Sequence, residues 1–174
     1  MQKQIRAIET TYNGVKFRSR LEARWARFFD NLRTKWIYEH EGYQIEDGYY
    51  LPDFFLPNVY LRAKDAQGIL FEVKPARFGE EYGQLEQVGT RLKIGSILAN
   101  GFDYANGVFE GLYQITPFWD NFMDVCVCET CGAVKFEFQE TNYMQCPACS
   151  QRYDSHSAEH IAWAYDEALK YRYY

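Results

Sequence analysis

The sequence predicts a mixed α/β fold: a central sheet flanked by helices, followed by a small cysteine-rich module and a terminal helix. Three features of the 174-residue chain predict it. Apolar residues recur at helical spacing near the start and again at the end, the segments between them alternate between apolar and polar residues, and all five cysteines lie in the last third. Strands and helices in this order form a sheet with helices packed on its faces.

The first predicted elements are a hairpin and a helix. Residues Ile5 to Thr10 and Val15 to Phe17 form two predicted strands around Asn13-Gly14, a favoured two-residue hairpin turn. Ser19 then begins a helix. The apolar face of this helix is formed by Leu21, Trp25, Phe28, Phe29 and Leu32.

Glu22 lies at the edge of that apolar face and has two interpretations. Ser19 and Glu22 fit a capping box, in which the glutamate carboxylate accepts a hydrogen bond from the amide of the capping residue. In the second interpretation the helix packs beside the strands, and Glu22 joins other carboxylates in a functional site. The sequence leaves both open.

The middle of the chain contains several predicted strands and one predicted helix. In order, these elements are strands Lys35 to Tyr38 and Gly42 to Glu46, an extended run around Asp53, a strand Gly68 to Pro75, a helix over 80–93, and strands Ile94 to Leu98 and Val108 to Ile115. This order indicates a mixed sheet behind the N-terminal helix.

Asp53, Glu72 and Lys74 form the candidate catalytic site. Side chains alternate between the two faces of a strand, so Glu72 and Lys74 share one face while Phe71 and Val73 point into the core. A carboxylate pair from neighbouring strands suits a hard divalent cation, Mg²⁺ or Mn²⁺. A nearby ammonium can stabilise a metal-bound hydroxide or the phosphate transition state. The structural alternative is that Asp53 caps a turn and that Glu72 and Lys74 form an ion pair on an exposed strand.

Charge is distributed unevenly along the chain. Residues 1–35 carry nine Lys or Arg against three Asp or Glu, a net charge of +6, whereas residues 36–174 carry ten against twenty-one, a net charge of −11. Arg20, Arg24 and Arg27 cluster on the helix flank away from Glu22, and a local basic face of this kind can bind the phosphates of DNA. Solvated helix faces are also often basic, and this is the structural alternative for the three arginines.

Two C-x-x-C pairs predict a metal site in the tail. Fourteen residues separate Cys128 and Cys131 from Cys146 and Cys149. Four thiolates at this spacing form a closed tetrahedral site of the zinc-ribbon type, so one structural Zn²⁺ is expected. Paired disulfides are the alternative. Cys126 precedes Cys128 by two residues, which leaves open which thiols of this C-x-C-x-x-C segment bind the ion.

The chain ends in an amphipathic helix, predicted from Ser157 onward. Its apolar face consists of Ile161, Ala164, Tyr165, Ala168 and Leu169. His156 and His160 are spaced as metal ligands can be, but four cysteines already suffice for a zinc ion. The tyrosines at the end of this helix also suit a homodimer surface.

The expected division of the chain is a core domain over 1–122, a zinc-ribbon module over 123–154 and a C-terminal helix over 155–174. No apolar run approaches the length of a membrane span, and the first residues lack the apolar region of a signal peptide. A cytoplasmic protein is therefore expected.

The ordered set of Glu22, Pro52-Asp53 and Glu72-Val73-Lys74 resembles the PD-(D/E)XK nuclease superfamily over roughly residues 12 to 115, most closely its short phage-type members. The resemblance implies a restriction-endonuclease-like fold. It also implies that Asp53, Glu72 and the Val73 carbonyl bind Mg²⁺ or Mn²⁺. Lys74 would then activate water or stabilise the transition state, and Glu22 would be a helper carboxylate.

This resemblance implies metal-dependent hydrolysis of DNA phosphodiester bonds by an endonuclease. The alternative is an inactive adaptor of the same fold that binds nucleic acid or a protein partner. Two features bear on the match to the family. Gln84 or Gln87 corresponds to a helix glutamine of some members, and the nineteen-residue step from Asp53 to Glu72 requires an extra hairpin arm.

Overall fold

The computed structural model describes residues 7–61, 67–75, 81–106, 108–116, 121–138, 144–153 and 158–171. Within these ranges the helices are α1 (Arg20–Asn31), α2 (Glu81–Leu92) and α3 (Ala158–Lys170). The strands are β1 (Thr10–Tyr12), β2 (Val15–Phe17), β3 (Ile37–Tyr38), β4 (Tyr43–Ile45), β5 (Gly48–Tyr50), β6 (Phe54–Leu61), β7 (Gln67–Lys74), β8 (Gly95–Ala105), β9 (Val108–Thr116), β10 (Asn121–Val127), β11 (Val134–Phe138), β12 (Met144–Gln145) and β13 (Arg152–Tyr153).

The N-terminal turn and α1 form as their local sequence predicts, but the first strand is Thr10–Tyr12 and not Ile5 to Thr10, because a two-residue turn pairs the residues directly before it with Val15–Phe17. Ile5 lies outside the described residues. Asn13 and Gly14 both have positive φ, 49° and 79°, as the two central residues of a type I′ turn require. Ser19 caps α1, and its hydroxyl oxygen accepts the Glu22 N–H at 3.1 Å. Trp25, Phe28, Phe29 and Leu32 of the predicted apolar face are buried, Leu21 is partly buried, and the face packs in the main core.

In the described part of the chain, seven strands form one mixed sheet in the order β11-β10-β9-β8-β7-β6-β3. Neighbouring strands are antiparallel except β7 and β8, which run parallel and are joined through α2. β11 also pairs with β6, in parallel, through Lys135–Tyr60 and Phe136–Leu61. The sheet therefore closes on itself over six of its strands.

The alternation of side chains along β7 determines on which face of the sheet the candidate site lies. Ile69, Phe71 and Val73 lie in the main core beneath α1, as predicted, and Leu70 lies in a second core beneath α2. Because side chains of a strand alternate between its faces, Glu72 lies on the face of the sheet opposite α1.

The segment Gly42 to Glu46 was expected as the second strand of the main sheet, and this is wrong. β4 pairs instead with β5 in a separate hairpin, whose buried Ile45 and Tyr50 pack against Leu85 and Val88 of α2. The hairpin satisfies its backbone hydrogen bonds locally, and its apolar side chains find their partner on a helix. The core strand expected over Lys35 to Tyr38 is shorter, and only Ile37–Tyr38 pairs with β6.

The tail is joined to the main sheet. β10 pairs with β9, and β11 pairs with β10 and β6, so the predicted division between residues 122 and 123 falls inside β10. The nineteen-residue step from Asp53 to Glu72 is spanned by the β6–β7 hairpin.

The terminal helix α3 packs on α1 and the main core. Ile161, Ala164 and Ala168 are buried there, and the Asn31 side-chain amide donates to the Ala164 carbonyl at 2.9 Å. Leu169 was expected on the same apolar face but is 40% exposed. Residues 154–157 and 172–174, and with them His156, lie outside the described ranges. In the part of the chain that the structure describes, no helix has the length and apolar character needed to cross a membrane.

Two glycines give opposite predictions for the same substitution. Gly83 lies in α2 with nothing within 4 Å of an added Cβ, so Gly83→Ala should raise the free energy of unfolding by about 0.5–1 kcal/mol. Gly111 has φ +89°, and a Cβ there would lie 2.6 Å from the Asn100 carbonyl oxygen. Gly111→Ala should therefore lower the free energy of unfolding by about 1–3 kcal/mol. Urea denaturation of both variants is the measurement, and a Gly111→Ala variant as stable as wild type would contradict the close approach of Gly111 to Asn100.

Candidate active site and metal centre

Asp53 and Glu72 meet where β6 begins beside β7. The Asp53 N–H donates to Glu72 Oε2 at 3.1 Å, and the Val73 N–H donates to Asp53 Oδ2 at 2.8 Å. Both residues are 1% exposed. The antiparallel register, in which Phe54 faces Phe71, brings these two side chains together as the sequence predicts.

Two cationic side chains contact the carboxylate pair. Lys74 Nζ lies 2.8 Å from Glu72 Oε1, and Arg18 Nη2 forms an ion pair with Asp53 Oδ1. Arg18 Nε also lies 3.0 Å from Glu39 Oε1. The Arg18 side chain is 55% exposed and that of Lys74 is 27% exposed, so both cations lie between the buried carboxylates and solvent.

Glu22 is held at the start of α1 by three donors. Its Oε1 accepts from the Ser19 hydroxyl at 2.7 Å, and its Oε2 accepts from the Arg18 N–H at 3.1 Å and the Tyr38 hydroxyl at 2.6 Å. This is a capping arrangement, although the amide reached is that of Arg18, one residue before the expected one. The role of Glu22 as a helper carboxylate stays a prediction.

The electrostatics of the site are dominated by negative charge. Burial, followed by the charges of Glu72 and Glu22, raises the pKa of Asp53 to about 8 from its ordinary 3.8, although the Val73 N–H and Arg18 act in the other direction. Burial alone would lower the pKa of Arg18, but the Asp53 charge and Tyr38 outweigh it and raise that pKa.

Among the residues that the structure describes, the connected groups carry an excess of negative charge. When ionised, Glu22, Glu39, Asp53 and Glu72 carry −4 and the two cations carry +2, which leaves −2. A divalent cation would neutralise this excess, and the oxygen donors are those that Mg²⁺ and Mn²⁺ accept.

The carboxylates supply a pair of ligands rather than a larger cage. Among the described residues, the group of three or more Cys, His, Asp or Glu whose ligand atoms lie within 4.8 Å of one another is formed by cysteines alone. Glu22 therefore does not complete a compact three-carboxylate cluster with Asp53 and Glu72. One or two carboxylates with several waters is, however, the usual coordination of Mg²⁺.

The three arginines of the predicted DNA-binding flank have different surroundings. Arg20 is exposed and Arg24 is half-buried. The Arg27 guanidinium carbon lies 4.5 Å from the ring centroid of Tyr171 and 5.7 Å from that of Tyr12. Arg27 thus makes cation–π contacts between α3 and the N-terminal hairpin, and phosphate binding by these residues stays a prediction.

The four predicted cysteine ligands form the second cluster. The Sγ atoms of Cys128 and Cys149 are 3.7 Å apart, and those of Cys131 and Cys146 are 3.5 Å apart. A tetrahedron with Zn–S bonds of about 2.3 Å has sulfur atoms about 3.8 Å apart, so the thiols have the spacing that such an ion requires. The cluster can hold a metal ion such as Zn²⁺.

The two cysteine loops have the same backbone pattern. Cys128 N–H donates to the Ala133 carbonyl at 2.9 Å, and its carbonyl accepts from the Gly132 N–H at 2.7 Å. In the second loop Cys146 N–H donates to the Gln151 carbonyl at 2.9 Å, and its carbonyl accepts from the Ser150 N–H at 2.8 Å. Repeated local geometry of this kind presents paired thiols from the two loops to a common centre.

The cysteine pKa values follow from burial and from backbone amides. Burial raises the pKa of the Cys128 thiol, but the N–H groups of Cys131 and Thr130 outweigh it and lower that pKa to about 7. Cys126 is fully buried, and burial followed by the charge of Asp124 raises the pKa of its thiol. Cys126 lies outside the four-thiol group.

The remaining sequence candidates lie elsewhere. His160 is exposed and packs on Trp163, with ring centroids 5.7 Å apart. Gln87 accepts the Glu46 N–H at 3.1 Å through its Oε1, which ties the β4–β5 hairpin to α2. Arg18 and Tyr38 were not among the predicted site residues. One signal was present, since Arg18 precedes Glu22 by four residues in the capping segment.

Comparisons of the chain with protein-family models, with curated proteins and with solved structures found no match.

The raised pKa of Asp53 predicts a pH-dependent stability. The folded protein binds this proton more tightly than the unfolded chain, so the stability it provides is complete below pH 3.8 and is lost as the pH rises through about 8. Compared with Asp53→Asn, which cannot ionise, the wild-type protein should lose unfolding free energy between pH 5 and pH 8 in buffers without divalent cations. Urea denaturation at several pH values measures the difference. Glu9→Gln, on the surface, is the control, and parallel pH profiles of wild type and Asp53→Asn would contradict the pKa assignment.

Proposed function

We propose that the protein is a divalent-metal-dependent nuclease that hydrolyses DNA phosphodiester bonds, acting as an endonuclease. The observation that carries the proposal is a pair of neighbouring buried acidic residues, Asp53 and Glu72, joined by the hydrogen bond of 3.1 Å from the Asp53 N–H to Glu72 Oε2, with the Lys74 ammonium 2.8 Å from Glu72 Oε1. The structural alternative, an ion pair between Glu72 and Lys74 on an exposed strand, does not explain why Asp53 is buried beside Glu72. Burying two like charges side by side is costly unless cations compensate them.

The order and direction of the elements around the site also support this proposal. A helix, α1, is followed by the antiparallel strands β3, β6 and β7, and α2 then leads to β8, which is parallel to β7. The resemblance to the PD-(D/E)XK superfamily implies a restriction-endonuclease-like core, and a mixed sheet flanked by helices supports that part of the proposal.

Asp53 and Glu72 would hold Mg²⁺ or Mn²⁺, and the resemblance adds the Val73 carbonyl as a ligand. When bound, such an ion supplies a Lewis acid and an activated water for phosphodiester hydrolysis. The hydrogen bonds from the backbone N–H groups of Asp53 and Val73 fix the two carboxylates before the ion arrives. The excess charge of −2 in the connected groups favours a divalent ion over a monovalent one.

Lys74 is positioned to act on substrate. Its ammonium is oriented by Glu72 and is partly exposed, so it can donate to a phosphate oxygen or steady the attacking oxygen. Glu22 acts through the backbone of Arg18 and the Tyr38 hydroxyl, which it fixes beside the carboxylates. Arg20 and Arg24 are candidates for contacts with the DNA backbone outside the site.

We assign the four-cysteine cluster to one structural Zn²⁺. A closed tetrahedron of four thiolates leaves no position for substrate. Cys128 directly follows β10, so the ion would stabilise the end of two strands of the main sheet and the short β12–β13 hairpin.

The nuclease proposal predicts that Asp53→Asn and Glu72→Gln each abolish DNA cleavage in Mg²⁺ or Mn²⁺ while most DNA binding is kept, because each change removes a metal ligand and also removes negative charge beside phosphate. Asp103→Asn, on the exposed part of β8, is the matched control and should cleave normally. Gel assays with single-stranded, duplex and branched DNA, with and without EDTA, are the measurement. DNA binding without cleavage in any metal would favour the adaptor alternative instead.

The zinc assignment predicts one Zn²⁺ per chain. Cys131→Ser and Cys149→Ser should each release the ion and increase protease cleavage within the tail, since metal binding supplies much of the stability of this small segment. Cys126→Ala is the control and should keep the ion, because Cys126 lies outside the cluster. Metal analysis by mass spectrometry and limited proteolysis measure both effects. Zinc retained in Cys128→Ser and lost in Cys126→Ala would show that the wrong thiols are assigned.

A further inference from the structure

Arg18 occupies a special place beside the carboxylate pair. Its guanidinium forms ion pairs with Asp53 and, at 3.0 Å, with Glu39, while its backbone N–H is bound by Glu22 and Tyr38. The backbone of Arg18 is therefore fixed at the start of α1, whereas its side chain is 55% exposed.

We propose that Arg18 is an internal counter-ion that pairs with Asp53 when no divalent cation is bound. When a cation and substrate bind, the Arg18 guanidinium moves from Asp53 to a phosphate of the substrate. This inference rests on the proposed function, because it assigns the cation and the phosphate to the same site.

The first half of the proposal follows from electrostatics. Asp53 is 1% exposed, so its ionised form is poorly compensated by water, and the Arg18 guanidinium supplies the opposite charge through an ion pair. A divalent cation on Asp53 would compete with the guanidinium for the same carboxylate and would repel it. Binding of the cation and the Arg18–Asp53 ion pair are therefore mutually opposed.

The second half of the proposal follows from the fixed backbone of Arg18. Because the backbone of Arg18 is held by Glu22 and Tyr38, a guanidinium released from Asp53 stays beside the carboxylate site. Its planar fork of donors matches the oxygens of a phosphate, which it can bind at two points. Glu39 can retain the Nε contact and orient the fork. Lys74 is less suited to this exchange, since it pairs with Glu72 and its side chain is only 27% exposed.

The test compares Arg18→Gln with Arg33→Gln in zinc-loaded protein. Arg33 is exposed and lies just beyond the other end of the 12-residue α1, about 18 Å away along the helix. Arg33→Gln therefore removes the same charge far from the site. Titration calorimetry with Mn²⁺ alone measures the first half. Arg18→Gln should bind Mn²⁺ on the order of tenfold more tightly than wild type, because a competing charge is gone, and Arg33→Gln should bind as wild type does.

Binding of a short DNA duplex in Ca²⁺, followed by fluorescence anisotropy over a range of salt concentrations, measures the second half. Arg18→Gln should bind DNA more weakly than Arg33→Gln, and the slope of log K against log salt should fall by about 0.9, as expected for one lost phosphate contact. Opposite effects on metal and DNA affinity are the signature of the exchange.

The outcomes separate this inference from the proposed function. Equal Mn²⁺ affinity of wild type and Arg18→Gln, with binding still lost in Asp53→Asn, would overturn the counter-ion role and leave the metal site in place. Tighter Mn²⁺ binding with unchanged DNA affinity and salt slope would overturn the transfer to phosphate. If wild type binds Mn²⁺ no better than Asp53→Asn does, the proposed function fails as well.

Discussion

The backbone hydrogen bonds that hold Asp53 beside Glu72 are the constraint on which the site depends. Each carboxylate accepts a backbone N–H from the opposite strand, so the pairing of β6 with β7 fixes both side chains in the interior. Burial, followed by the negative charges of Glu72 and Glu22, raises the pKa of Asp53. The surrounding residues compensate this charge: Lys74 on one side, Arg18 on the other, with Glu22 and Tyr38 fixing the backbone of Arg18.

Local sequence patterns were enough to predict much of the framework. The Asn13-Gly14 turn, the buried face of α1 and the shared face of Glu72 and Lys74 all depend on residues close together in the chain. The four cysteine ligands were likewise predicted from the spacing of two short loops, and their sulfur atoms come together.

Features that depend on distant partners were not predicted. The pairing of β11 with β6 joins residues more than seventy positions apart, and no local pattern shows that the tail closes the sheet. β4 has the alternation of a sheet strand but pairs with β5, because its apolar side chains pack on α2. Arg18 was missed for the same reason, since its ion-pair partner Asp53 lies 35 residues away.

The central claim is that the buried carboxylates form an ion cluster completed by a divalent cation. A crystal structure of the zinc-loaded protein grown with Mn²⁺, with anomalous diffraction data collected at the manganese edge, tests it most directly. We predict an anomalous peak between the carboxylates of Asp53 and Glu72, with the guanidinium of Arg18 moved away from Asp53. Manganese bound only elsewhere, with the Arg18–Asp53 ion pair intact, would contradict the account.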